Sequence, residues 1–137
     1  MSATNVANEL IAGHFRTISH GKHPPDGEAC VMEIVAYDAG EEWTDSPRCV
    51  AAPIRGFMVT WNDALPDTPA GDVDRVRLFT PLLPYLAGTG PLSDEQSRGI
   101  YMMACDWQIR EWLPVWLRLA HLDSHADAVA ALEPFTD

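Results

Sequence analysis

Residues 27–49 read GEACVMEIVAYDAGEEWTDSPRC, and they decide the fold. From Cys30 to Ala36 the run is apolar apart from Glu33. The spacing predicts a helix from about Glu28 to Ala39, stopped by Gly40, the residue best suited to the left-handed conformation past a helix end. A helix without a polar side before Tyr37 and Asp38 belongs inside the protein. Glu33 is then a carboxylate among apolar neighbours, which costs free energy unless it is paired, capped or protonated.

Outward from this stretch the chain continues in helices. Asn5 to Ser19 has near-helical spacing through Leu10, Ile11, Phe15 and Ile18, and a loop with two prolines and two glycines follows, from His20 to Gly27. Ser46-Pro47 reads as a cap and first-turn proline for a short turn. Because of Pro53, the next main helix is expected from about Ala51, with Ile54, Phe57, Met58 and Trp61 as its stripe. A Pro/Asp-rich connection covers Asn62 to Gly71. A short helix is expected over Asp72–Phe79, with Val73, Val76 and Phe79 inward, then another over Pro81–Ala87, capped by Thr80 and closed by Gly88.

Ser93 and Gln96 match a capping box opening the longest helix, Asp94 to Leu113. Its apolar face carries Tyr101, Cys105, Ile109, Trp112 and Leu113, continued past Pro114 by Trp116 and Leu117; Pro114 should kink or split it. A last helix is expected over Ser124–Leu132. No alternating strand pattern stands out. The expectation is all-α: one compact domain over 1–137 with about six helices, several proline-started, and flexible ends at 1–4 and 134–137.

Composition narrows the function classes. With 137 residues, 47% of them hydrophobic, the chain can build a core without staples. Its net charge of -11 arises from 20 acids and 9 bases. Residues 1–50 carry 8 acids and 3 bases, 51–100 carry 6 and 4, and 101–137 carry 6 and 2, so the excess is spread along the chain. Such a field repels phosphate backbones and argues against direct nucleic-acid binding. Three widely spaced cysteines, Cys30, Cys49 and Cys105, read as reduced core thiols of a cytoplasmic protein. No apolar run approaches membrane-spanning length, and no signal segment is evident.

No complete catalytic motif occurs: G-x-S-x-G and both glycine-rich phosphate loops are absent. What remains are isolated candidates. Glu33, Asp45 and Cys49 could centre an enzyme or ligand site, although Glu33 is better explained by an ion pair or cap. Asp45 is expected to cap the turn at Pro47 and Arg48, and the acids Glu41, Glu42 and Asp45 match no calcium loop. His23, Cys30 and Cys49 have ligand types that suit zinc, without zinc-site spacing. His121 and His125 are four apart but straddle an expected break at Asp123-Ser124. The tryptophans remain. Trp112 and Trp116 share the apolar face of the long helix and read first as core. Trp107 falls off that line and Trp43 lies in a loop, so these two are the candidate partner-binding residues.

The block GEACVMEIVAYDAGEEWTDSPRCVAAPIRGFMVTWND, followed by LFTPLLPYLAGT and DWQIREWLPVWLRLAHL, resembles a family of small uncharacterised proteins of actinobacteria and their phages. The pattern spans residues 20–132 and is carried by Gly27, Cys30, Met32, Glu33, Gly40, Glu41, Asp45, Pro47, Cys49 and Pro53; Ser46 departs from it, where His is expected. The resemblance carries over no catalytic residue and leaves the function open, and no cofactor is expected. The expectation is therefore a small acidic cytoplasmic protein, phage-encoded or regulatory, that acts by binding another protein. A variant of this is a DNA mimic. The alternatives are an enzyme or metal/ligand site around Glu33, Asp45 and Cys49, and self-association through the tryptophan helix.

Overall fold

The structure, a computed structural model, describes residues 15, 17–21, 24 and 27–135. It is helical apart from one small parallel ladder, so the chain is all-α. It divides into two compact units, Met1–Leu92 and Ser93–Asp137.

In the first unit, β1 (Thr17–Ile18) pairs in parallel with β2 (Glu28–Ala29), Thr17 opposite Glu28 and Ile18 opposite Ala29. Two residues are too few to show an alternating pattern, which is why no strand was expected. Most of the helix expected over Asn5–Ser19 lies outside the described residues, but Thr17 and Ile18 are strand and correct its end. The ladder also holds Glu28 and Ala29 extended, so α1 (Val31–Asp38) begins after Cys30, its N-cap, and not at Glu28.

α1 is the centre of this unit: Val31 to Ala36 are all buried. A helix without a polar face is stable only where every side meets protein. It ends as expected. Gly40 takes φ 70, its N–H donates to Tyr37 O at 3.1 Å, and the Glu41 N–H donates to Ala36 O at 2.9 Å. Those bonds satisfy carbonyls that the last turn would otherwise leave free.

α2 (Ala52–Ala64) starts within a residue of expectation, with Pro53 in its first turn. Its buried residues are Pro53, Met58 and Asn62, while Phe57, expected inward, is exposed. α3 (Pro69–Phe79) begins a turn earlier than expected, because the Thr68 hydroxyl accepts from the Gly71 N–H at 3.1 Å and Pro69 fills the first turn. Its buried face is Gly71, Arg75 and Phe79, and Val73 faces solvent. Gly71 dictates this choice: a Cβ there would stand 1.9 Å from the Pro66 carbonyl oxygen. α4 is only Leu83–Leu86, since Leu82 and not Thr80 precedes it as cap. The Thr80 hydroxyl is buried without a hydrogen-bond partner.

The second unit opens with α5 (Asp94–Trp107) behind the expected capping box. Ser93 Oγ accepts from the Gln96 N–H at 3.2 Å, and Gln96 Oε1 accepts from the Ser93 N–H at 3.0 Å. A single π-helical turn, Gln108–Trp112, then leads into α6 (Leu113–Leu119). Pro114 explains the turn. It lacks an N–H, and its ring crowds the carbonyl four residues earlier, so the wider turn, closed by Leu113 N–H on Gln108 O, takes up the mismatch.

α7 spans Asp123–Ala130, so the break falls at His121-Leu122, earlier than expected. There His121 adopts φ 59 while the Leu122 N–H donates to Leu117 O at 2.9 Å and the His121 N–H to Arg118 O at 3.0 Å. Among the described residues of this unit only Pro114 and Ala126 are buried. The apolar face expected to form core is therefore largely uncovered, and Cys105, expected as a core thiol, is exposed.

Candidate functional site

The first candidate is the buried N-terminus of α1. Glu33 is fully buried and closes a capping box with Cys30, its Oε2 accepting from the Cys30 N–H at 2.8 Å. The next amide, Val31 N–H, reaches Asn62 Oδ1 at 3.4 Å. A buried helix start needs such acceptors, because water cannot supply them. Burial pushes the Cys30 thiol up to about 12, with the Glu33 carboxylate adding to the rise. At neutral pH that sulfur keeps its proton, which disfavours nucleophilic attack.

A polar network runs on from there. The Asn62 amide donates to Ser19 O and to Asp63 Oδ1, both at 3.0 Å. The backbone carbonyl of Asn62 accepts from Arg75 Nε at 2.9 Å. Arg75 is wholly buried and also donates to Leu65 O at 2.5 Å, Pro66 O at 3.1 Å and Asp72 Oδ1 at 2.9 Å. A side chain of α3 thus satisfies the carbonyls at the end of α2 and sets its positive charge against that helix's negative pole. Asn62 and Arg75 belong to no motif in the sequence. A signal existed for each: Asn62 follows Met58 by four, and Arg75 sits midway between Gly71 and Phe79 on one face.

The second candidate is the loop after α1. Glu41 spans it, its two carboxylate oxygens each accepting one amide at 2.7 Å, from Arg48 and from Cys49. The Arg48 amide bond leads the causes that hold the Glu41 carboxyl below its ordinary value. This corrects the role given to Asp45: the amide it was to cap belongs to Glu41, and Thr44 Oγ1 takes the Ser46 amide at 3.1 Å. Burial first, then a hydrogen bond to Glu41, raises the Cys49 thiol. Glu41, Glu42, Trp43, Thr44, Ser46 and Arg48 line an open cleft of about 680 Å³. Trp43 is half-buried there, its ring 5.9 Å from that of Phe15. Glu33 sits in the first turn of α1, and this loop follows the last turn of that helix.

Of the zinc set, His23 lies outside the described residues. Among those described, no group of three His, Cys, Asp or Glu is placed to hold a metal ion. No described helix is long and apolar enough to cross a membrane.

The third candidate is the π turn of the second unit. In an α-helix residues five apart point about 140° away from each other, which is why Trp107 was expected off the Trp112 line. A π turn instead stacks residues five apart. The Trp107 and Trp112 rings meet edge to face at 5.6 Å. Trp107, Trp112 and Trp116 are 50%, 44% and 63% exposed, with Met103 and Leu119 at 71% and 70%. Asp106 braces the turn, accepting from Arg110 Nε at 2.8 Å, from Arg110 Nη2 at 2.6 Å and from the Phe135 N–H at 3.0 Å. Those bonds, Arg110's first, lower the Asp106 carboxyl, while Asp106 raises Arg110.

Compared with known proteins, the chain matches no family model, no curated protein and no solved structure.

Proposed function

We propose that the protein works by binding another protein, through the tryptophan-bearing surface of its second unit. One observation carries this reading: three tryptophans and two long apolar side chains stand exposed on a unit that buries only Pro114 and Ala126 among its described residues. Large aromatic side chains anchor interfaces, and contiguous apolar surface marks an interaction site. On this reading the protein acts in the cytoplasm as a phage-encoded or a regulatory factor, in keeping with the resemblance in its sequence. It needs neither cofactor nor nucleic acid. Trp43 contributes less than Trp107, because its ring is engaged with Phe15 and the core.

The test is capture from a host lysate with the tagged full chain, beside Trp107→Ala/Trp116→Ala. A dominant protein held by the parent and lost by the variant supports the proposal. Equal capture by both, with the variant folded by circular dichroism, refutes it and moves attention to the cleft behind Glu41.

A further inference from the structure

The surroundings of the tryptophan surface narrow the kind of partner it takes. Residues 93–137 carry eight acids and three bases. Two of the three bases are already met within the unit, Arg110 by Asp106 and Arg118 by Asp127 at 2.8 Å. Glu111 and Glu133 both act electrostatically on Arg110, which places them beside the π turn. Glu111 directly precedes Trp112, and Glu111, Asp123 and Glu133 are exposed. Glu111 and Glu133 thus make an acidic rim at the π turn that also carries Trp112.

Three kinds of occupant can be weighed against that rim. A second copy meeting this surface about a twofold axis would set the rim against itself, like charge facing like. A wholly apolar partner would bury the rim's edge without pairing it. A segment with an apolar side flanked by Lys and Arg meets both features. From Trp107 to Trp116 the ridge is about 14 Å long, room for anchors at i, i+4 and i+7 on a docked helix, which span about 10 Å. Resting on the binding role proposed above, we infer that this surface takes a basic amphipathic helix of another protein, its apolar side on Trp107, Trp112 and Trp116 and its cations on Glu111 and Glu133.

Two synthetic helical peptides with one leucine pattern, the first with lysine and the second with glutamate elsewhere, probe the full chain by calorimetry and tryptophan fluorescence. The Leu/Lys peptide should bind, about tenfold or more weakly at about 500 mM than at about 50 mM salt. Glu111→Lys/Glu133→Lys should weaken it several-fold, while Glu42→Lys/Asp67→Lys, exposed charges of the first unit, should not. The Leu/Glu peptide should not bind. Undiminished binding to Glu111→Lys/Glu133→Lys, equal binding of both peptides, or no binding of either overturns the inference. So does a micromolar dimer in ultracentrifugation that Trp116→Ala dissociates. The binding role fails separately. A lysate partner lost with the tryptophans but kept by Glu111→Lys/Glu133→Lys removes the basic helix and leaves the role intact, and a partner indifferent to the tryptophans removes both.

Discussion

The two units handle apolar surface in opposite ways. The first closes a helix with no polar side, α1, inside a shell of other elements and meets its buried polar groups with Glu33, Asn62 and Arg75. The second, although rich in apolar residues, leaves its largest side chains about half exposed. Hydrophobic content is therefore a poor guide to where stability lies in this chain. Buried area stabilises by about 25 cal/mol per Å², so the first unit gains from its apolar residues what the second does not.

The largest effect should come from the buried cation. Arg75→Met leaves Asp72 and the Asn62, Leu65 and Pro66 carbonyls without their donor, and should cost about 3–5 kcal/mol in urea unfolding. A loss below about 1 kcal/mol, the scale of an exposed pair, would break the comparison at its first unit. Glu33→Ala should cost about 2–3 kcal/mol, through a lost cap and an unfilled site. Glu33→Gln, which keeps an oxygen for the Cys30 amide, should cost about 1 kcal/mol. Similar losses for the two Glu33 variants would mean that the charge and not the cap matters.

In the second unit, Trp116→Ala should change stability by less than about 1 kcal/mol, because the ring is already in water. His121→Gly should raise it by about 0.5–1 kcal/mol, since glycine adopts the left-handed conformation without the side-chain penalty.

Thiol chemistry sharpens the contrast. At pH 8 Cys105 should react freely with a thiol reagent while Cys30 stays closed until the chain unfolds. The sign of the pH effect follows. A thiol raised on folding favours the fold at pH below its unfolded value, 9.0, and the advantage is lost as pH rises from there towards about 12. For Glu41 the direction reverses: its depressed carboxyl stabilises above its ordinary value of 4.5 and loses that contribution as pH falls through the folded value. Glu41→Gln should therefore flatten acid unfolding.

Much of the helical plan was legible in the sequence because caps are local. Gly40, the Ser93–Gln96 box and Pro53 each act within a turn of their own position. What was not legible depends on neighbours distant in sequence. The inward face of α3 follows from Gly71 meeting Pro66, and the use of Arg75 from the end of α2 lying beside it. Trp107 was misplaced because a period of 3.6 does not hold through the π turn that Pro114 imposes. For the site, the unusual character of Glu33 was readable, but its partner was not. Glu41, which holds the loop, looked like one acid among several.

Amide hydrogen exchange across the full chain, resolved by residue, tests the central contrast most directly. The α1 amides should exchange only through global unfolding, while those of α5, α6 and α7 open at markedly lower free energy and gain protection when a partner is bound. Equal protection of both units in the free protein would contradict the account.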